Sequence, residues 1–159
     1  MANKTELLKE SLLKYNSYNN DWLCDYFNHD NGGYLVVDKQ RIERSKISKN
    51  EKEKFSKEYT MSMVFARSGH KIEMLKERPG FSSSDITING VIAELKKTSS
   101  HNNMLKYAKK AIDKQGAKII VFEFEKETTR IKEELKMLKM REIHVKYYFS
   151  NNPDKIINL

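Results

Sequence analysis

The sequence predicts an α+β domain, a mixed central sheet that carries a β-hairpin and has helices packed on it. Three observations carry this expectation. Asn89-Gly90 sits between two β-prone runs, the strongest short-range hairpin signal, because a type I′ turn needs positive φ at both positions. A capped helical pattern precedes the hairpin, and strands separated by helical patterns follow it, so antiparallel and parallel neighbours mix in one sheet. The 159 residues contain no apolar run near the roughly 18 residues that a membrane span needs.

In chain order, Thr5 to Tyr15 places Leu8, Leu12 and Tyr15 at i, i+4, i+7 and reads as an amphipathic helix. Tyr15 to Asn31 mixes Asn, Asp and aromatics, is broken by Gly32-Gly33 and reads as an aromatic-rich loop. A short strand, Tyr34 to Val37, follows. Residues 1–47 are expected to form an accessory segment, and residues 48–159 the main domain.

Ser48-Lys-Asn-Glu51 is a capping box. Phe55, Tyr59, Met63 and Ala66 then recur at helical spacing up to Gly69. His70 to Leu75 is expected as a strand, and Arg78 to Ser84 as a loop. The hairpin comes next, and then a helix from Ser99-Ser100 to about Gln115 with Gly116 as its stop. Ile119 to Phe124 reads as a buried strand. A helix carries Ile131, Leu135 and Leu138, Ile143 to Phe149 is a strand, and Ile156-Ile157 a last one.

Charge gives the first functional hint. The chain carries 30 Lys and Arg against 22 Asp and Glu, a net +8. Residues 1–47 hold seven basic and seven acidic side chains, so the whole excess lies beyond them. A basic region of this kind suits a polyanion, since each phosphate neutralised releases counterions, although a solvated lysine-rich surface gives the same count. The single cysteine, Cys24, excludes an internal disulfide framework and a Cys-rich zinc site. Met1 to Glu10 holds no apolar signal-peptide core, which places the expected site of action in the cytoplasm, with no membrane partner.

The hairpin register yields the sharpest expectation. A two-residue turn sets Ile88 opposite Val91, Thr87 opposite Ile92, Ile86 opposite Ala93 and Asp85 opposite Glu94. Alternation then gives one apolar face, Ile86, Ile88, Val91, Ala93 and Leu95, and a second face with Asp85, Thr87, Ile92, Glu94 and Lys96. Two facing carboxylates repel. Lys96 offsets this in part, and a divalent cation between the acids would offset it more, because Mg²⁺ takes oxygen ligands. Two carboxylates on a metal with an ammonium beside them suit phosphodiester hydrolysis; a merely solvated hairpin face fits the same pattern.

Asp85 followed by Glu94-Leu95-Lys96 resembles the D…E-x-K signature of the PD-(D/E)xK nuclease superfamily, and the order of elements is similar to its αβββαβ core. The resemblance implies Mg²⁺ or Mn²⁺ held by Asp85 and Glu94, Lys96 serving the attacking water, and a helix glutamate, Glu58 or else Glu51, completing the metal site. Ser84 stands where that pattern often has proline. Glu58 to Glu73, Asp85 to Gly90 and Asp113 to Val121 also resemble the "E…A..G…V", "D..I.G" and "Q…IV" passages of the C-terminal nuclease toxin domains of CdiA-type contact-dependent inhibition proteins. This likeness spans roughly Glu58 to Glu125 and implies tRNA or DNA as substrate. A beginning at Met1 fits a free-standing gene of a mobile element or phage, or an excised domain. An immunity protein or mobile-element partner could dock through residues 1–47.

Two rival readings accompany it. Metal-independent ribonuclease toxins of the barnase–EndoU–colicin–RelE group would draw on Ser99, Ser100 and His101 with Lys96 or Lys97. A non-catalytic nucleic-acid-binding module would keep only the basic surface. His101 opens the helix after the hairpin, where free amides attract phosphate. Lys97 and Ser99 flank that helix, and Lys106, Lys109, Lys110 and Lys114 form its exposed stripe, either a track for a nucleic-acid backbone or a solvated face.

Overall fold

The computed structural model describes residues 3–77 and 85–159. The expected loop at Arg78–Ser84, with Ser84 itself, lies outside them. The described chain holds eight strands and five helices, a mixed α+β fold. It divides into two compact units, one of residues 3–77 and 86–90, the other of Asp85 and residues 91–159. No described helix is long and apolar enough to cross a membrane.

The first unit contains α1 (Lys4–Asn16), β1 (Trp22–Phe27), β2 (Tyr34–Asp38), α2 (Lys39–Ser45), α3 (Lys49–Arg67), β3 (Lys71–Met74) and β4 (Ile86–Ile88). Asn3 and Glu6 close a reciprocal capping box on α1. Ser48 accepts from the Glu51 amide and starts α3 where the capping pattern puts it. β1 pairs antiparallel with β2, β2 parallel with β3, and β3 antiparallel with β4. Between β2 and β3 the chain crosses over through α2 and α3, as a parallel pair requires. Leu35, Val36, Phe65, Ala66, Ile72 and Met74 are buried.

Residues 15–31 depart from the expected loop. Trp22–Phe27 is a strand with a register shift between Cys24 and Tyr26. Three of its six residues, Leu23, Cys24 and Asp25, are exposed, so hydrophobic alternation does not announce it. The expected division after residue 47 falls inside this unit, since buried β2 pairs with β3.

The second unit contains β5 (Val91–Thr98), α4 (Met104–Gln115), β6 (Ile119–Phe124), α5 (Thr129–Met140), β7 (Val145–Phe149) and β8 (Asn152–Asn158). β5 pairs parallel with β6 and β6 parallel with β7, each pair bridged by a helix, while β7 and β8 are antiparallel. Its core joins Met104, Ala108 and Ala111 of α4 and Ile131, Leu135 and Leu138 of α5 to Ile120, Phe122 and Phe124 of β6.

Asn89 and Gly90, which link β4 to β5, have φ of 50° and 84°, as a type I′ turn demands. Ile86, Ile88, Ala93 and Leu95 are buried as the register predicts, whereas Val91 is exposed. α4 starts at Met104 after Asn103, so His101 precedes the helix rather than opening it. Gly116, with φ of 73°, ends it.

Candidate active site

Strand alternation determines which β5 side chains meet α4. In the β5–β6 register Glu94 stands beside Ile120, Lys96 beside Phe122 and Thr98 beside Phe124. Phe122 and Phe124 pack under α4 and α5, so Glu94, Lys96 and Thr98 lie on that helix-covered face. Leu95 and Lys97 point the other way. Glu94 is only 4% exposed.

Asp85 joins this strand through the backbone. Its Oδ2 accepts from the Leu95 amide at 3.1 Å, which anchors it beside Glu94-Leu95-Lys96. Tyr107, from α4, comes to the same residue. Its hydroxyl donates to the Leu95 carbonyl at 2.9 Å, and its ring lies 6.0 Å from that of Phe122. The Lys96 ammonium sits 5.3 Å from the centre of the Tyr107 ring. Burial raises the Tyr107 hydroxyl far above the usual tyrosine range, and the charges of Glu94 and Asp85 and a hydrogen bond to Glu94 raise it further. Both acids therefore lie close enough to act on one phenol, which stays protonated at physiological pH.

Lys96 and Tyr107 of this cluster line a cleft of about 510 Å³ together with Ser100, Asn102, Lys106 and Lys110; the lining does not include Asp85 or Glu94. Asn103, in the left-handed region, makes no side-chain cap on α4, whose first residues line the same cleft. The site thus combines two carboxylates, a phenol and an ammonium with a basic, polar approach.

The other expected site residues are placed differently. Glu58 belongs to the first unit and is 7% exposed. It forms an ion pair with Arg41 of α2, which also binds Glu77 at 2.9 Å, so its charge is already neutralised. Glu51 lies 3.8 Å from Arg44. Lys97 pairs at 3.2 Å with buried Glu123 on the face away from α4. Ser99 and Lys109 are exposed and His101 is half-buried, and the cleft lining includes none of them.

No three His, Cys, Asp or Glu side chains among the described residues converge on a common point. Asp85 and Glu94 are the pair that fits a hard divalent cation by donor chemistry, since both offer carboxylate oxygen. Tyr107 is the residue that sequence reasoning missed. It sits between the buried α4 residues Met104 and Ala108, and a tyrosine beside a buried helix face needs a partner for its hydroxyl.

Glu123 is held by Tyr148 at 2.6 Å, Ser150 at 2.7 Å and Lys97. Burial alone would raise its carboxyl, but these hydrogen bonds and the Lys97 charge outweigh burial and hold it below the ordinary range. The donors come from β5, from β7 and from the turn after β7, so this cluster is a structural strut.

A family model described as the contact-dependent growth inhibition CdiA C-terminal domain matches residues 82–156. The fold is similar to a chain of the CdiA-CT/CdiI toxin and immunity complex from Burkholderia pseudomallei, with a TM-score of 0.53 and 15% identity, covering 70% of this chain and 88% of that one. No curated protein matches the sequence.

Proposed function

We propose that the chain is a nuclease toxin domain that hydrolyses phosphodiester bonds of tRNA or DNA at the cleft of the second unit. The observation that carries this reading is the meeting of Asp85, Glu94, Lys96 and Tyr107 around Leu95. The match to CdiA C-terminal domains over 82–156 includes all four and adds weight to it.

In this reading Asp85 and Glu94 hold Mg²⁺ or Mn²⁺. That ion, when bound, polarises a phosphoryl oxygen and acidifies a water. Lys96 supplies positive charge where negative charge builds on the phosphorus oxygens. Tyr107 fixes Leu95, and with it the direction of the two side chains that flank it. Lys106 and Lys110 hold backbone phosphates at the mouth of the cleft. Glu58 is left out of the ligand set because Arg41 already neutralises it.

The same reading gives the chain an immunity-type protein partner. Its surface would lie in residues 1–47, where Leu7, Leu13 and Leu23 are exposed. The test of function is incubation with tRNA and with plasmid DNA in Mg²⁺, Mn²⁺ or EDTA. Cleavage is expected with a divalent ion and not with EDTA. Cleavage that persists in excess EDTA would move the reading to metal-independent ribonuclease chemistry.

A further inference from the structure

The first unit contains a pocket of about 650 Å³ that the proposed hydrolysis does not use. Its lining includes Lys14, Tyr18, Tyr34, Lys71 and Glu73. Glu73 is half-buried, and among the described residues no cation pairs with it. Two hydroxyls hold it instead. Tyr18 donates to Oε2 at 2.9 Å and Thr87 donates to Oε1 at 2.6 Å. Tyr18 has one proton and spends it on Glu73, so the 2.9 Å contact between Tyr18 and Tyr34 is a donation from Tyr34. The result is a chain of hydroxyls that orients one carboxylate.

An ionised carboxylate has about four acceptor sites, two on each oxygen. One on each oxygen is filled, so each oxygen keeps one acceptor site. That arrangement suits a planar group presenting two adjacent N–H donors. Among the nucleobases, guanine offers such a pair, N1–H and N2–H, on its pairing edge; adenine, cytosine and uracil each place an acceptor beside their donor. Lys71 precedes Glu73 by two on β3 and shares its face. Lys14 and Lys71 form no ion pair with any described carboxylate and supply positive charge to the same pocket.

We infer that this pocket is a guanine-nucleotide subsite, with Glu73 reading the base edge and Lys14 and Lys71 holding the phosphate. It rests on nucleic acid being the substrate class and adds to that a preference for an unpaired guanine, whose pairing edge is open.

Trp22, the one tryptophan, lies 5.5 Å from the Tyr18 ring and reports on the pocket. The full chain is titrated with GMP, AMP, UMP, guanosine and inorganic phosphate, with red-edge excitation of Trp22. GMP is expected to give a saturable change at least tenfold tighter than AMP or UMP. Glu73→Gln should reduce GMP to the AMP level. Lys71→Gln, a change at a half-exposed side chain, should weaken GMP and AMP alike and leave guanosine unaffected. Equal affinities for the three nucleotides, or GMP binding untouched by Glu73→Gln in a variant with unaltered circular dichroism, would overturn the inference. Mononucleotides have no internucleotide bond to cut. A chain that binds GMP but cleaves no polymer keeps this site and loses the nuclease reading, and the converse result loses this site alone.

Discussion

Tyr107 on α4 donates its hydroxyl proton to the carbonyl of Leu95 on β5 at 2.9 Å, and the amide of the same Leu95 donates to Asp85 at 3.1 Å. One residue of β5 is thus held at both its polar backbone atoms. Its neighbours Glu94 and Lys96 share the face under α4 because strand alternation gives them one side, Glu94 buried and Lys96 lining the cleft.

Tyr107→Phe tests this grip. The ring keeps its packing against Phe122 and its place beneath Lys96, while the Leu95 carbonyl loses its donor and Glu94 loses the hydroxyl beside it. A buried acceptor left without a partner costs about 1–3 kcal/mol. Urea unfolding should show a loss of that size, and polymer cleavage should fall further than the lost stability explains.

Replacing Lys106 and Lys110 with Gln should weaken binding of every nucleic-acid sequence alike. The slope of log affinity against log salt should flatten by about 0.7–0.9 for each lysine that contacts a phosphate. Lys109→Gln, outside the cleft lining, should change the slope less. Binding to an oligonucleotide over a series of salt concentrations measures both.

Glu123 links stability to pH. Its folded carboxyl lies below its ordinary value of 4.5, so it adds stability above that pH and loses it as pH falls through the folded value. Glu123→Gln should be less stable than the parent chain near neutrality, and the gap should close progressively below about 4.5. Denaturant unfolding of both chains between pH 3 and pH 7 would check the sign.

Two glycines should fail for different reasons. A Cβ on Gly33 would lie 1.9 Å from the Ala66 carbonyl oxygen and 2.7 Å from the Gly69 Cα, both backbone atoms. Gly33→Ala should therefore cost at least about 1–3 kcal/mol by overpacking. A Cβ on Gly90, where φ is 84°, would meet nothing within 4 Å. Gly90→Ala should cost only the left-handed backbone term, roughly 1–2 kcal/mol. Thermal melting ranks the two.

The sequence makes legible whatever is local. Ser48 as a cap, the Asn89-Gly90 turn and Gly116 as a stop all follow from short-range chemistry and recur in the structure. Alternation likewise puts Glu94 and Lys96 on one face, and by the same rule it puts Lys97 on the other, beside Glu123. Edge strand β1 escapes notice because half of its side chains are exposed, none is fully buried and its register is interrupted. The seven-residue α2 is too short to show a period, and with it goes Arg41, the partner that occupies Glu58. Tyr107 meets Leu95 twelve residues away, a contact made by packing a helix on a strand, which no spacing rule encodes.

In the proposed reading Asp85, Glu94 and Lys96 form one hydrolytic centre. It is tested most directly by single-turnover cleavage of tRNA and of plasmid DNA by the parent chain, Glu94→Gln and Lys96→Ala, with melting curves recorded on the same samples. Cleavage by the parent is expected, with losses of about 100-fold or more in both variants at near-parental melting temperature. Parental cleavage rates in either variant would contradict it.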